Sequence, residues 1–143
     1  MITVFFDSSV LFSGFYSSTG SSRALLKLVK KKAIYSLTSK TVIDELEDNI
    51  KKFNQRIDID SLINKYGILI RNKISKDEIE PYKRFVEEKD CHVIAGAILT
   101  ESQYLVTLDK KHLDNKTIKE KIKDVEIVSP RELLKEILEI MEW

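Results

Sequence analysis

The sequence predicts an α/β fold: three layers, α/β/α, around a mainly parallel sheet of about five strands, as a single domain over residues 1–143. Two observations carry this. Short β-branched and aromatic runs recur at residues 2–6, 34–37, 68–70, 104–108 and 125–128, and helical apolar periodicity fills the intervals between them. A chain of 143 residues that is 43% hydrophobic holds enough apolar material for one closed core and too little length for two comfortable domains.

The first run, Ile2-Thr3-Val4-Phe5-Phe6, is apolar on both faces and meets Asp7-Ser8-Ser9 at once, as expected of a central strand. Val10-Leu11-Phe12 follows, then a Gly and Ser cluster over residues 13–22 that reads as a mobile loop. A helix then carries Ala24, Leu25, Leu28 and Val29 on one side. After the second strand, Ser39 is placed to cap a helix running to about residue 53, with the stripe Val42, Ile43, Leu46, Ile50 and Phe53. Another helical piece starts at Asp60 and is stopped by Gly67 before the third strand. Residues 75–86 and 90–100 read as helices, and Ser129-Pro130 gives a cap and a first-turn proline for a last helix over residues 131–141.

Composition excludes several classes of function. Twenty-four Lys and Arg against 23 Asp and Glu leave a net charge of +1, so total charge favours neither a nucleic-acid binder nor an enzyme of acidic substrates. One cysteine, Cys91, closes no internal disulfide and reads as a core residue, and with two histidines it is too little for a common zinc cage. No stretch approaches the roughly 20 apolar residues that span a bilayer, so we expect a soluble, cytoplasmic protein without membrane contact.

Four acids stand where a globular chain has little structural use for them. Asp7 and Asp109 end strands, Asp90 heads an apolar helix, and Glu45 sits within the helix after Ser39. In parallel sheets ligands collect beyond the carboxyl ends of the strands, where strand order reverses, and Asp7 and Asp109 both lie at such an end. On a helical wheel with Leu46 at zero, Glu45 falls at about −100° and Glu47 at about +100°, on opposite rims of the apolar stripe, so the wheel does not choose between them. Asp90 shares its line with Ile94, Ala97 and Ile98, while His92 falls on the far side and is expected to face water. Taken singly, each aspartate has a structural role open to it: Asp90 as a helix cap, Asp7 and Asp109 as turn residues. Brought together they repel, which raises carboxylate pKa values and calls for a cation; an all-oxygen set favours Mg²⁺ or Mn²⁺.

The segments Phe5-Phe6-Asp7-Ser8-Ser9-Val10-Leu11, Ser39-Lys40-Thr41-Val42-Ile43-Asp44-Glu45-Leu46, Lys89-Asp90-Cys91-His92-Val93-Ile94-Ala95-Gly96-Ala97 and Leu105-Val106-Thr107-Leu108-Asp109-Lys110-Lys111 resemble, in order, the signature segments of PIN-domain nucleases. The resemblance covers almost the full chain. It implies a Mg²⁺- or Mn²⁺-dependent endoribonuclease with Asp7, Glu45, Asp90 and Asp109 as catalytic and metal-holding residues, and it settles the wheel's tie towards Glu45. It implies RNA as substrate and self-association as a homodimer or higher oligomer; many relatives of this size are the toxin of a toxin-antitoxin pair, for which a small antitoxin would be the partner, while others process RNA without one. Two departures stand out. Ser9 occupies a place where many relatives carry Asn, and Lys111-His112-Leu113 falls where many have a further Asp.

Around these acids, the hydroxyls of Ser8, Ser9 and Thr107 are positioned to orient carboxylates, or simply to cap turns. No histidine is expected near them, so a serine nucleophile lacks its base. Arg23, Lys110 and Lys111 are the cations expected to contact RNA phosphates, and Phe15 or Tyr16 is placed to stack on a base. Two other readings remain open: a non-catalytic RNA-binding or assembly module on the same fold, and a phospho-acceptor signalling domain. Against the second, Asp7 is followed by Ser8 rather than an acid, and no Lys follows Val128.

Overall fold

In the computed structural model, residues 1–53 and 57–141 are described. The elements alternate in the order β1 (Thr3–Phe6), α1 (Ser8–Tyr16), α2 (Ser21–Lys30), β2 (Tyr35–Ser39), α3 (Lys40–Lys52), α4 (Ile59–Tyr66), β3 (Leu69–Arg71), α5 (Lys76–Ile79), a 3₁₀ turn (Glu80–Tyr82), α6 (Glu88–Leu99), β4 (Tyr104–Val106), α7 (Lys116–Lys121), β5 (Glu126–Val128) and α8 (Pro130–Met141). The five strands form one parallel sheet ordered β3-β2-β1-β4-β5. Successive strands run outward from β1 to β3, then the chain crosses back to β4 on the other side of β1. That reversal puts the topological switch between β1 and β4, whose registers pair Phe6 with Val106.

The right-handed rule for parallel crossovers assigns the β1–β2 and β2–β3 connections to one face and β3–β4 to the other. In agreement, α2 packs on α1, α4 and α8, while α6 lies across β1, β2 and β4. Strand β1 is therefore covered on both sides: Val4, Phe5 and Phe6 are fully buried. Phe5 faces α6 so closely that a Cβ on Gly96 would lie 2.5 Å from its Cζ, so α6 can seat on the sheet only with glycine there.

The caps follow the sequence. Ser39 accepts from Val42 N at 3.1 Å at the start of α3, Gly67 ends α4 in the left-handed region at φ 77°, and Ser129 accepts from Glu132 N at 3.1 Å to open α8. The predicted helix over residues 75–86 is broken: after the Ser75/Glu78 capping box only four residues are α-helical before Pro81 tightens the chain into the 3₁₀ turn. Phe53, assigned to the α3 stripe, is exposed, whereas Val42, Ile43, Leu46 and Ile50 are buried.

The mobile loop expected over residues 13–22 is not what forms. Helix α1 continues to Tyr16, and Gly14 serves helix packing: a Cβ there would meet Leu26 Cδ1 at 2.6 Å, so glycine lets α2 close on α1. Phe15 stacks on Tyr66 in the core, with ring centroids 6.3 Å apart, and is not free to receive a base. Cys91 is buried, with Sγ directed at the Val86 and Glu87 carbonyls, as a core residue should be. Among the described residues no helix is long and apolar enough to cross a membrane.

Candidate active site

All four sequence-selected acids come to the carboxyl edge of the sheet; a chain of hydrogen bonds that starts at Asp7 joins it to Glu45 and Asp109, and Asp90 meets them through its charge alone. This residue follows β1, caps α1 and is 6% exposed. Its Oδ1 accepts from Ser8 N at 2.8 Å; its Oδ2 accepts from Thr107 Oγ1 at 2.7 Å and Ser9 Oγ at 3.2 Å. Thr107, just past β4, in turn accepts from Asp109 N at 3.1 Å, which fixes the start of the loop carrying Asp109. Ser9 Oγ accepts from Leu108 N at 3.1 Å and ties the same loop down a second time. On the other side, Ser8 Oγ donates to Glu45 Oε2 at 3.3 Å, so α3 is linked to the head of α1. The three hydroxyls thus hold carboxylates as well as turns.

Asp90 is not the cap of α6. Glu87 occupies the cap position, Asp90 is the third residue of the helix, and its amide bonds to Glu87 O at 2.9 Å. Its position in the first turn suits a negative charge, yet its Oδ2 is buried without a hydrogen-bond partner. Burial first, then the nearby Asp109 carboxylate, push the Asp90 pKa above the usual carboxylate range. Asp7 is raised too: burial outweighs the donors from Thr107, Ser8 and Ser9, and Glu45 adds to the rise.

Two histidines join this cluster, against expectation. His92 does not face water: it is 8% exposed, and its Nε2 contacts Glu45 Oε1. The wheel misplaced it because residues 91–97 of α6 are buried all round, between the sheet and the neighbouring elements, and leave no solvent face there. His112 lies in the Asp109 loop, where its amide donates to Asp109 Oδ1 at 2.9 Å and its Nδ1 sits 3.2 Å from Asp109 Oδ2. Asp90, Asp109 and His112 each offer a ligand atom, all within 4.8 Å of one another. The absence of a nearby histidine, expected from the sequence, is therefore corrected twice. The only advance signal was that His112 stands three residues after Asp109, within turn distance.

This donor set fits a divalent cation. Like charges converge from four separate segments, one buried carboxylate oxygen has no partner, and an imidazole flanks it. Of the cations assigned to RNA, Lys110 and Lys111 are exposed beside Asp109. Arg23 is already engaged: its Nε donates to Gly14 O at 2.5 Å and its Nη2 to Phe15 O at 3.0 Å, closing the carbonyl end of α1. Glu47 is half-buried on the opposite rim of α3, beside Ile50 and Asp58, and takes no part in these contacts.

Solved structures share the fold. PAE2754 from Pyrobaculum aerophilum superposes with a TM-score of 0.61 at 16% identity, covering 96% of this chain and 96% of that one. VapBC2 from Rickettsia felis, bound to a DNA fragment from its promoter, gives 0.58 at 15% identity, covering 90% and 98%. FitAB bound to an IR36 DNA fragment gives 0.55 at 12% identity, covering 89% and 94%. No curated protein matches the sequence. The family model described as PIN domain matches residues 3–111, a span that contains Asp7, Glu45, Asp90 and Asp109, and so the chain belongs to the PIN-domain family.

Proposed function

We propose that this protein is a divalent-metal-dependent endoribonuclease in which Asp7, Glu45, Asp90 and Asp109 form the metal-holding catalytic set and His112 stands beside it. PIN-domain proteins are generally nucleases that use divalent metals. The observation that carries the reading for this chain is Asp90: a buried carboxylate oxygen without a partner, facing a second carboxylate, at the switch point of a parallel sheet. Without a cation such a group only weakens the fold; with one it becomes a ligand.

Each residue then has a task. Asp90 and Asp109 supply oxygens, with the His112 imidazole on their flank. Asp7 is held rigid by Thr107, Ser9 and Ser8, so its carboxylate enters the site preorganised. Glu45 is clamped between Ser8 and His92 while its side chain remains 41% exposed, reachable by a substrate strand. A divalent cation at this set supplies charge stabilisation for the phosphoryl oxygens and makes water acidic enough to attack near neutral pH. Lys110 and Lys111 offer positive charge to the backbone next to the acids. By the same family likeness, a small antitoxin protein is the proposed partner, Mg²⁺ or Mn²⁺ the proposed ion, and the cytoplasm the proposed location.

The test is cleavage of a mixed RNA pool with Mn²⁺, with EDTA, and by Asp90→Asn with Mn²⁺. Cleavage only by the wild-type protein with Mn²⁺ is expected. RNA binding with no metal-dependent cleavage would favour the non-catalytic module instead.

A further inference from the structure

Beside the acidic edge, the amino end of α2, the start of α8 and the loop after β4 enclose a pocket of about 290 Å³ lined by Ser13, Ser21, Ser22, Lys110, Arg131 and Leu108, among others. No acid lines it. Neither Lys110 nor Arg131 forms an ion pair among the described residues, although ten pairs form elsewhere, so two cations face one concavity without a counter-charge.

The two helix ends differ. Ser129 and Glu132 cap α8 reciprocally, at 3.3 and 3.1 Å, and Pro130 has no amide hydrogen, so α8 contributes mainly Arg131. Helix α2 begins at Gly20, with φ 102°, and has no side-chain cap, which leaves its first-turn amides open to an anion. Ser22 adds an independent sign. It is 5% exposed and lines the pocket, yet its hydroxyl has no hydrogen-bond partner among the described residues. A hydroxyl without a partner on the pocket wall, beside uncapped amides and two cations outside any ion pair, matches the oxygens of a phosphate.

Leu108, on the pocket wall, donates its amide to Ser9, which in turn bonds Asp7; the pocket and the acidic site therefore share a wall. This concavity is lined by cations and no acid, and it adjoins the acidic site through Leu108. We propose that the pocket binds a backbone phosphate of the single-stranded nucleic acid next to the one at the acidic site, with Arg131, Lys110, the Ser22 hydroxyl and the first-turn amides of α2 as its donors. This rests on the nuclease reading above, and it assigns to substrate binding three residues, Arg131, Ser22 and Ser21, that the signature segments do not include.

The experiment measures affinity of a fluorescent single-stranded RNA 12-mer for the full chain in EDTA, as a function of NaCl, for the wild type, Lys110→Ala/Arg131→Ala, Ser22→Ala, and Lys135→Ala as an exposed control on α8. Losing one phosphate contact should flatten the slope of log affinity against log salt by about 0.7, and the double variant should show this while Lys135→Ala does not. Ser22→Ala should weaken binding roughly 3- to 10-fold with the slope unchanged, because a neutral hydrogen bond is lost. Mn²⁺ titration of the double variant should match the wild type. Wild-type slope and affinity in the double variant, with Mn²⁺-dependent cleavage intact, would overturn this inference and leave the nuclease reading standing. Absence of RNA binding by every protein including the wild type, in EDTA and again with Ca²⁺ in place of Mn²⁺, would sink both. Polyglutamate binding that the double variant loses, with RNA binding unchanged, would give the pocket to a protein carboxylate and also overturn it.

Discussion

Removing a charge from the acidic site should stabilise the metal-free protein, and Asp90→Asn is the cleanest way to do it. Asparagine keeps the shape, and the buried Asp90 oxygen has no hydrogen bond among the described residues to lose. What disappears is repulsion with Asp109, whose ligand atom lies within 4.8 Å. At that separation two unit charges repel by about 1 kcal/mol in bulk water and by about 3.5 kcal/mol at the effective dielectric of a protein surface. Both side chains keep partial contact with solvent, so the expected gain is about 1–3 kcal/mol. For a chain of this size that corresponds to roughly 3–10 °C in melting temperature. The assay is thermal and urea unfolding at pH 8, first in EDTA and then with saturating Mn²⁺. In EDTA the variant should unfold later than the wild type; with Mn²⁺ the wild type should rise and the variant should gain much less. If Asp90→Asn melts at or below the wild type in EDTA, and Mn²⁺ lifts both equally, the charge-cluster reasoning is wrong.

Asp7 and Asp90 both have pKa values raised on folding, so the folded state holds their protons more tightly than the unfolded chain. Metal-free stability should therefore rise as pH falls from neutrality towards the ordinary carboxylate range, with the gain complete once pH is below the unfolded value of 3.8; this appears as the difference between the wild type and Asp90→Asn in EDTA melts across pH, and a difference constant with pH would refute it. His112→Ala should weaken Mn²⁺ binding by about 10- to 100-fold and Mg²⁺ binding far less, since imidazole suits transition metals and Mg²⁺ prefers oxygen; equal losses in calorimetric titrations would remove the nitrogen from the ligand set. Gly96→Ala should destabilise by about 1–3 kcal/mol despite alanine's better helix propensity, because its Cβ would lie 2.5 Å from Phe5 Cζ in the core; denaturant midpoints no lower than wild type would contradict the packing described.

Much of the fold was legible because local signals agreed with one another. The strand preceding Asp7 carries no polar residue on either face beyond Thr3, so a doubly covered central position followed, and Ser39, Gly67 and Ser129-Pro130 announced their helix ends through chemistry that depends on the nearest few residues. Two failures share a cause. Gly14 and the serines around it look like loop material in isolation, yet they lie at a contact between α1 and α2 that only the tertiary structure reveals. His92 looked solvated because a wheel assumes one wet side, and the buried stretch of α6 has none. At the site, Asp7, Asp90 and Asp109 could be picked from strand ends and an inward helix line. Glu45 could not be separated from Glu47 by periodicity, since both flank the stripe; its link to Ser8 and His92 is a fact of three elements meeting. The cap role open to Asp90 falls three residues earlier for a similar reason: Glu87 begins the helix without a side-chain cap, leaving no mark in the sequence.

The central claim is that remote carboxylates gather here to hold a divalent cation, and a crystal soaked in Mn²⁺ and recorded at a wavelength where manganese scatters anomalously tests it without reference to activity. An anomalous peak is expected within coordination distance of Asp90 and Asp109, absent from Asp90→Asn crystals treated the same way. A wild-type map with no peak at these carboxylates under saturating Mn²⁺ would contradict it.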